Sequence, residues 1–311
     1  MIAREFIKNR AGKLPVGGNI NSLIVVFAIF LLGFIWLGLY YRVSSERQIE
    51  IDRAGKEILN FARMFEEHTV RTIRSADQAA LFLKQQYEKE GRAIDIPKYI
   101  NEGRFADQPY VLLSIIDENG DLAASSRVPL LATNLADREH FLVHRAADSQ
   151  QLFISRPLLG RVSGKWSLQI TRRINKPDGS FGGVAVVSID PFYFTELYKQ
   201  VDLGKNSSIA LVGRDGIVRA RQAGQNTEIG QDLSDSTLMR QLAVSDSGGY
   251  SGESKVDNIK RIYNYRALAE YPFVVLVGVD EAEVLRSWNR RITGYYLGAA
   301  FATVVICGSI I

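Results

Sequence analysis

Two polar segments of the sequence carry side chains that could bind a small molecule, and the first covers residues 153–173. It predicts a strand, a Gly-rich connection and a second strand beginning at Lys165. Side chains along a strand alternate between its faces, so Trp166 shares one face with Arg172, and Ser167 shares the other with Gln169. A half-buried arginine beside an aromatic ring can hold an anionic or carbonyl ligand. The alternative is an arginine stem packed over the sheet with its head in water. Trp166 and Arg172 are therefore candidate ligand-binding residues.

The second polar segment begins at Asp137 with the string Asp-Arg-Glu-His-Phe and extends to His144. Arg138, His140 and His144 bring one permanent cation and two imidazoles close together in the sequence. These side chains either line a pocket or mark the start of a helix whose charges are solvated. We treat them as candidate ligand-binding residues.

The sequence does not predict an enzyme. The string from Gly160 to Trp166 resembles a phosphate loop, but it has one residue too few between its glycines. It also has Trp166 where Ser or Thr must meet Mg²⁺. A Gly-x-Ser-x-Gly nucleophile motif is absent. Three histidines and a single cysteine form no cluster with metal-ligand spacing. We therefore expect ligand binding without catalysis, cofactor or metal.

Two uncharged runs flank these segments and predict two membrane spans, 20–41 and 292–311. A bilayer core needs about 20 apolar helical residues. A cleaved signal peptide is the alternative for the first run, but that run is too long and lacks a small-x-small cleavage site. We expect both spans to contact membrane lipid.

The charges before the first span predict its orientation. Arg4, Lys8, Arg10 and Lys13 stand there against one acid, Glu5. Because Lys and Arg mark the cytoplasmic side, the tail 1–19 is expected inside and 42–291 in the periplasm of a bacterial inner membrane. The net charge of +4 arises mostly in this tail, so we expect no nucleic-acid partner.

A long helix is predicted from the first span to the end of residues 42–90. This stretch lacks proline and contains one glycine, Gly55. Its apolar stripe recurs at steps of three and four residues: Ile58, Ala62, Phe65, Thr69, Ile73, Ala76, Ala80, Leu83 and Tyr87. Such a stripe either packs against the chain's own domain or forms a dimer seam. We expect the upper half to pack and the lower half to form a homodimer.

From Tyr110 onward the pattern changes to strands and tight turns, and it repeats. Strand, turn, strand patterns occur around Asn119-Gly120 and again around Asp215-Gly216. The repeats, 91–200 and 201–291, each close with a strand that leads into a helix at Asp190 or Asp280. Asp at these positions caps a helix, and we prefer that role to ligand binding. We predict an α+β fold in which two antiparallel PAS-like sheets stack along the long helix.

This arrangement resembles the double Cache sensor domains of bacterial receptors over about residues 42–291. The strings Asp137-Arg-Glu-His-Phe and Ile154-Ser-Arg-Pro-Leu-Leu-Gly-Arg-Val-Ser-Gly-Lys-Trp-Ser-Leu-Gln-Ile resemble those of Cache sensors ahead of diguanylate cyclases and histidine kinases. The resemblance implies ligand capture in the membrane-distal unit, the first repeat.

The resemblance also indicates what the ligand is not. Amino-acid-binding members carry Arg-x-Trp-Tyr, and here Arg138 matches while His140 and Phe141 replace the aromatic pair. The position of their ammonium-binding aspartate falls on Ser188. An ammonium group without a buried carboxylate would be left unpaired. We include Phe141 and Ser188 among the candidate site residues and do not expect an ordinary amino-acid ligand.

These observations predict a two-pass sensor module that binds a small molecule and signals to a cytoplasmic output beyond residue 311. The resemblance implies a diguanylate cyclase as that output, with a histidine kinase as the alternative. A stand-alone membrane protein that binds a protein partner through its Cache surface is a second possibility. An extracytoplasmic enzyme is a distant third.

Overall fold

The structure, a computed structural model, describes residues 17–105, 109–201 and 203–309. Most of the predicted tail 1–19 and the end of the second predicted span therefore lie outside the described residues. Two compact units are present. We call the described residues up to Ile51 together with those from Leu285 the helical unit, and Asp52–Val284 the sheet unit.

The helical unit contains the first part of helix α1 (Gly17–Glu90) and helix α6 (Arg286–Gly308). Both helices are long and apolar enough, by length and composition, to cross a membrane. Trp36 Nε1 donates to Thr303 Oγ1 over 3.2 Å, and Trp288 Nε1 donates to the Val43 carbonyl over 3.2 Å. Within this unit, two indoles thus join the segments by hydrogen bonds.

Helix α1 continues through the sheet unit to Glu90, so the predicted long helix is confirmed. Eight members of the predicted stripe are nearly or fully buried: Ile58, Ala62, Phe65, Thr69, Ile73, Ala76, Ala80 and Leu83. The expectation that the lower half forms a dimer seam is wrong for these positions. Ile58, Ala62 and Phe65 are at most 1 % exposed because they pack within their own chain.

The first sheet follows a 3-10 turn (Gly91–Ala93) and helix α2 (Ile96–Asn101). Its strands are β1 (Tyr110–Asp117), β2 (Leu122–Ser125), β3 (Phe153–Ile154), β4 (Leu158–Leu159), β5 (Trp166–Asn175) and β6 (Phe181–Ile189), with helix α3 (Glu139–Ala146) between β2 and β3. The order is β2-β1-β6-β5-β3, with β4 also paired to β5, and all pairs are antiparallel.

The second sheet repeats this topology after a 3-10 helix (Pro191–Gln200). Its strands are β7 (Ser208–Gly213), β8 (Val218–Ala223), β9 (Asn226–Glu228), β10 (Ser247–Glu253), β11 (Lys260–Ala267) and β12 (Phe273–Asp280), with helix α4 (Thr237–Leu242) after β9. The order is β10-β11-β12-β7-β8-β9. In both sheets the last strand lies beside the first, so the fold is α+β with two antiparallel sheets.

Side chains of α1 bind both sheets through ion pairs and hydrogen bonds. Asp77 accepts two hydrogen bonds from Arg172 on β5, at 2.6 and 2.7 Å, and Glu66 pairs with Arg266 on β11. The sheets are also bridged directly, since Arg156 Nε donates to Asp215 Oδ2 over 2.9 Å. These contacts hold one helix and two sheets together as the sheet unit.

The closing segments of the two repeats begin as the sequence predicts. Asp190 Oδ1 accepts from the Phe192 amide over 2.9 Å, and Asp280 Oδ1 accepts from the Ala282 amide over 2.8 Å. The capping role predicted for both aspartates is confirmed. The helix that begins after Asp280 is short, because α5 (Glu281–Val284) is separated from α6 by Leu285.

The turn between β1 and β2 gives a stability prediction. Gly120 has φ +88°, and a Cβ there would lie 2.7 Å from the Ala136 amide nitrogen. Gly179, at φ +83°, has open space around it. We expect Gly179→Ala to cost about 1–2 kcal/mol, the price of the left-handed backbone alone. Gly120→Ala should cost about 1–3 kcal/mol more because of the clash. Urea unfolding of the purified chain measures both; equal losses would contradict the clash.

Candidate functional site

Helix α3 turns three candidate residues toward the first sheet. The helix begins after Arg138, whose backbone is extended and whose side chain makes no capping hydrogen bond. Residues three to four apart share a helix face, so His140 and His144 point the same way, with Phe141 beside them. All three are at most 4 % exposed. The helix therefore presents two imidazoles and one aromatic ring to the sheet.

A small cavity of about 30 Å³ lies between α3, the sheet and the loop before β5. It has room for one or two waters, at roughly 15–30 Å³ each. The described residues that line it are Leu112, Ser114, Ile116, Leu135, Arg138, His140, Leu158, Gly160, Arg161, Val162, Ser163, Gln169, Val186 and Ser188. Of the predicted site residues, the structure thus brings Arg138, His140 and Ser188 together.

The floor of the cavity is a hydrogen-bonded polar row. Ser188 Oγ donates to Gln169 Oε1 over 2.6 Å, and Gln169 Nε2 donates to Ser167 Oγ over 2.7 Å. The backbone N–H of Gln169 in turn donates to Ser155 Oγ over 3.0 Å. The row lies on the face of β5 that carries Ser167 and Gln169 and connects the cavity to the loop that holds Arg156.

The structure does not bring Trp166 and Arg172 to this cavity, in contrast to our expectation. Both lie on the opposite face of β5, as strand alternation requires. Arg172 is held there by Asp77 of α1 and also donates to the Gln150 carbonyl over 2.6 Å. Trp166 is 50 % exposed at the start of the strand. Arg172 therefore anchors the sheet to the long helix.

Phe141 and His144 support the site without lining the cavity. Phe141 belongs to the apolar core of the first sheet and meets Phe181 edge to face, with ring centroids 5.3 Å apart. His144 Nε2 lies 2.9 Å from Thr171 Oγ1 on β5, and Arg173 donates to the His144 carbonyl. These contacts position α3 against β5 and so set the place of His140.

Two buried imidazole nitrogens on α3 lack hydrogen-bond partners among the described residues, and of the two histidines only His140 lines the cavity. The two nitrogens are His140 Nδ1 and His144 Nδ1. Burial, reinforced at His140 by the nearby Arg138 charge, lowers the pKa of each imidazole to about 4. The Arg138 guanidinium makes no hydrogen bond or ion pair within the described part of the chain. Arg138 is half-buried, whereas His140 Nδ1 is fully buried, and an unsatisfied buried group of the latter kind is rare unless something else binds it.

One wall of the cavity is a short hairpin segment, residues 158–165, which we call the strap. Arg161 in the strap pairs with both carboxylate oxygens of Asp137, at 3.0 and 2.8 Å, and donates to the Asn134 carbonyl. Arg127 donates to the Val162 carbonyl over 2.6 Å. Since β4 has only two residues, few backbone hydrogen bonds hold the strap, and its ion pair faces water.

Other cavities among the described residues are larger than this one in the first repeat, where the resemblance implies ligand capture. The cavity on the corresponding side of the second sheet encloses about 130 Å³. Its buried arginine, Arg221, is already neutralised by Glu228 and Asp257. An open cleft of about 630 Å³ lies beside Arg172 and Tyr271. No group of three metal-ligating side chains occurs in the described chain. The first cavity is distinguished by unpartnered donors, not by volume.

Sequence reasoning missed several residues of this site. Gln169 was assigned to the face away from the chosen candidates, and Arg161 and Ser163 were read only as a failed phosphate loop. The alternation of side chains along β5 did place Gln169 on the same face as Ser167, but it could not indicate which face lines the cavity.

Comparison with known proteins identifies the family. A family model described as a histidine kinase sensor domain, of the dCache_1-like type, matches residues 191–278. The crystal structure of the extracellular domain of the histidine kinase candidate rpHK1S-Z16 has 31 % sequence identity and a TM-score of 0.68. The match covers 76 % of this chain and 98 % of that one. The chain belongs to the double Cache sensor family.

Two more distant structures share the Cache fold. The ligand-binding domain of Mlp24 with asparagine has 11 % identity and a TM-score of 0.54, covering 79 % of this chain and 99 % of that one. An extracellular ligand-binding receptor from Desulfohalobium retbaense has 14 % identity and the same TM-score, covering 72 % and 40 %. None of the curated proteins matches. The chain thus carries a Cache sensor domain similar to those described for histidine kinases.

The buried imidazoles predict how stability depends on pH. In the unfolded chain each histidine titrates near 6.5, whereas in the fold each pKa is about 4. The unfolded state therefore binds more protons between these values, and stability is lost as pH falls from 6.5 to 4. Each imidazole contributes up to roughly 3 kcal/mol to this loss. Urea unfolding across this range should show a flatter dependence in the double variant His140→Asn with His144→Gln. An unchanged slope would contradict the assignment.

Proposed function

We propose that this Cache domain senses a small molecule outside the membrane by binding it in the cavity of the first sheet. The observation that carries the proposal is the buried, unpartnered His140 Nδ1 beside the half-buried Arg138 guanidinium, which no described residue pairs with, at a cavity in a sensor-family domain. A ligand would satisfy both groups. Arg138, His140 and Ser188 contact it directly in this proposal, and Phe141 and His144 hold α3 in place.

The ligand must enter past the strap, because the cavity itself holds only one or two waters. The exposed ion pair between Arg161 and Asp137 is the main side-chain contact across this entrance. Displacement of the strap would enlarge the site and also move β4 and the Arg156 loop. That loop reaches the second sheet through Asp215, which is shared with Arg219. Binding could thus be relayed from the first repeat to the second.

The proposed topology is a two-pass protein of the bacterial inner membrane with its N-terminus in the cytoplasm. The domains we propose are the tail 1–19, spans 20–41 and 292–311, a stalk 42–90, a membrane-distal unit 91–200 and a membrane-proximal unit 201–291. The uncharged runs and the basic tail support this arrangement.

A histidine kinase is the output that the comparisons favour. Both the family model and the structure at 31 % identity carry that description. The diguanylate cyclase expected from the sequence strings has no support in these comparisons, and no observation favours a stand-alone partner-binding protein. We therefore propose that the chain regulates a kinase in the cytoplasm.

Fusion to the catalytic region of a histidine kinase after residue 311 tests the proposal. Ligands would first be found by the rise in melting temperature that native-state binding produces. A ligand that raises the melting temperature should also change autophosphorylation of the fusion in vesicles. Inserting three glycines between Trp288 and Ile292 should abolish this change while leaving ligand affinity intact, because a flexible break absorbs a helix shift. A normal response with the insertion would place transmission in α1 instead.

We also propose that the sensor is a homodimer whose seam lies below the buried stripe. The apolar stripe from Ile58 upward is covered within the chain, which leaves most of 42–57 as the stalk segment for a partner helix. Single cysteines through this segment should crosslink with a period near 3.5 residues, as in a coiled coil. Cysteines at Ile73 or Ala80 are the matched buried controls and should not crosslink. Crosslinking that is uniform or absent would exclude the seam.

A further inference from the structure

The charges on the cavity wall all have one sign. Two described lining residues are permanent cations, Arg138 and Arg161, and none of the described lining residues is an acid. The imidazole of His140 is neutral at neutral pH because burial lowers its pKa to about 4. A ligand at this wall therefore meets positive charge and neutral hydrogen-bonding groups.

The two arginines differ in their present partners. Arg161 is neutralised by Asp137 through two hydrogen bonds. Arg138, at the start of α3, makes no such contact with any described residue and is only half-exposed. A partly desolvated cation is stabilised when an anion pairs with it, and a planar guanidinium binds a carboxylate through two parallel hydrogen bonds. Arg138 is thus the open anion-binding position of the wall.

Neutral groups beside Arg138 suit the same ligand. His140 Nδ1 has no partner and can carry its proton, so it can donate a third hydrogen bond. The side-chain amide of Gln169 donates one of its two hydrogens to Ser167 Oγ, and its second hydrogen is available to a ligand. These donors can complete the shell of a carboxylate whose charge Arg138 neutralises.

The lining also has six aliphatic side chains, Leu112, Ile116, Leu135, Leu158, Val162 and Val186, and its other described members are Ser114, Gly160, Ser163 and Ser188. Such a wall accommodates a short hydrocarbon chain and offers no carboxylate to a cationic group. An ammonium group would lose its hydration here without meeting a carboxylate, and an unpaired buried charge is costly. The small volume excludes a long chain unless the strap moves far.

We propose that the ligand is a short-chain carboxylate of two to four carbons that lacks an amino group. This inference rests on the proposed sensor function and names the ligand class of the same cavity. Arg138 binds the carboxylate, His140 donates to it, and the aliphatic wall contacts the chain. The strap closes over the bound acid.

Matched pairs of probes test the class directly. Isothermal titration of the full chain in nanodiscs would compare acetate with glycine, propionate with alanine, and butyrate with 2-aminobutyrate. Propionamide is the uncharged control. Each acid should bind at least about tenfold more tightly than its amino counterpart, and propionamide should bind about tenfold more weakly than propionate. Equal or tighter binding of the amino acids would overturn the proposal, as would failure of all three acids to bind. The proposed sensor function would still be decided by the kinase fusion.

Variants then assign the binding groups. Arg138→Gln should weaken the best-binding acid at least about tenfold. Lys165→Gln removes an exposed cation that lies at the end of the strap and is not among the residues lining the cavity, and it should change affinity less than about twofold. Unchanged binding in Arg138→Gln would overturn the assignment.

A second pair of variants changes one charge inside the cavity and is compared by unfolding midpoint as well as by binding. Ser188→Asn keeps the site neutral and serves as the steric reference for Ser188→Asp, which should bind the best acid at least about tenfold more weakly than Ser188→Asn through like-charge repulsion. Equal acid affinity in the two variants would show that the carboxylate does not lie beside Ser188 and would overturn the proposal.

Discussion

The buried face of α1 is the constraint on which the sheet unit depends. Neither sheet could cover its inner face alone, and the stripe from Ile58 to Leu83 provides a common apolar surface for both. Burial of this stripe also brings Asp77 and Glu66 to their arginines on β5 and β11. Each such ion pair contributes modestly by itself. Together with the apolar contacts they give the two repeats one shared helix, so a displacement of either sheet must be accommodated by α1.

The candidate site depends on a second kind of burial, in which polar groups are enclosed without being fully paired. Ser188, Gln169 and Ser167 satisfy one another, and this row gives the cavity a defined floor. His140 is enclosed at the same depth with one ring nitrogen unpaired. A fully paired network rigidifies a core, whereas an unpaired member leaves a site where another molecule can bind. The cavity thus combines a rigid hydrogen-bonded floor with one buried nitrogen, His140 Nδ1, that no described residue pairs with.

The parts of the fold that follow local rules were predicted from the sequence, and those that depend on tertiary packing were not. The long helix, the repeated strand order and the caps at Asp190 and Asp280 rest on periodicity and short-range hydrogen bonds. The choice of Trp166 and Arg172 failed because both faces of β5 are covered: Leu168 and Ile170 are as buried as Ser167 and Gln169. The alternation of side chains between the two faces of β5 then does not indicate which face packs against α3.

The strap has a consequence for the timing of any response. Its ion pair between Arg161 and Asp137 is exposed to solvent, and the attraction between exposed charges weakens as dissolved ions screen them over about 10 Å at 0.1 M salt. The enclosed row beneath it is screened much less. Higher ionic strength outside the cell would therefore speed the opening of the entrance more than it alters the hydrogen bonding of the floor. The medium itself would set how quickly this domain registers a change in its surroundings.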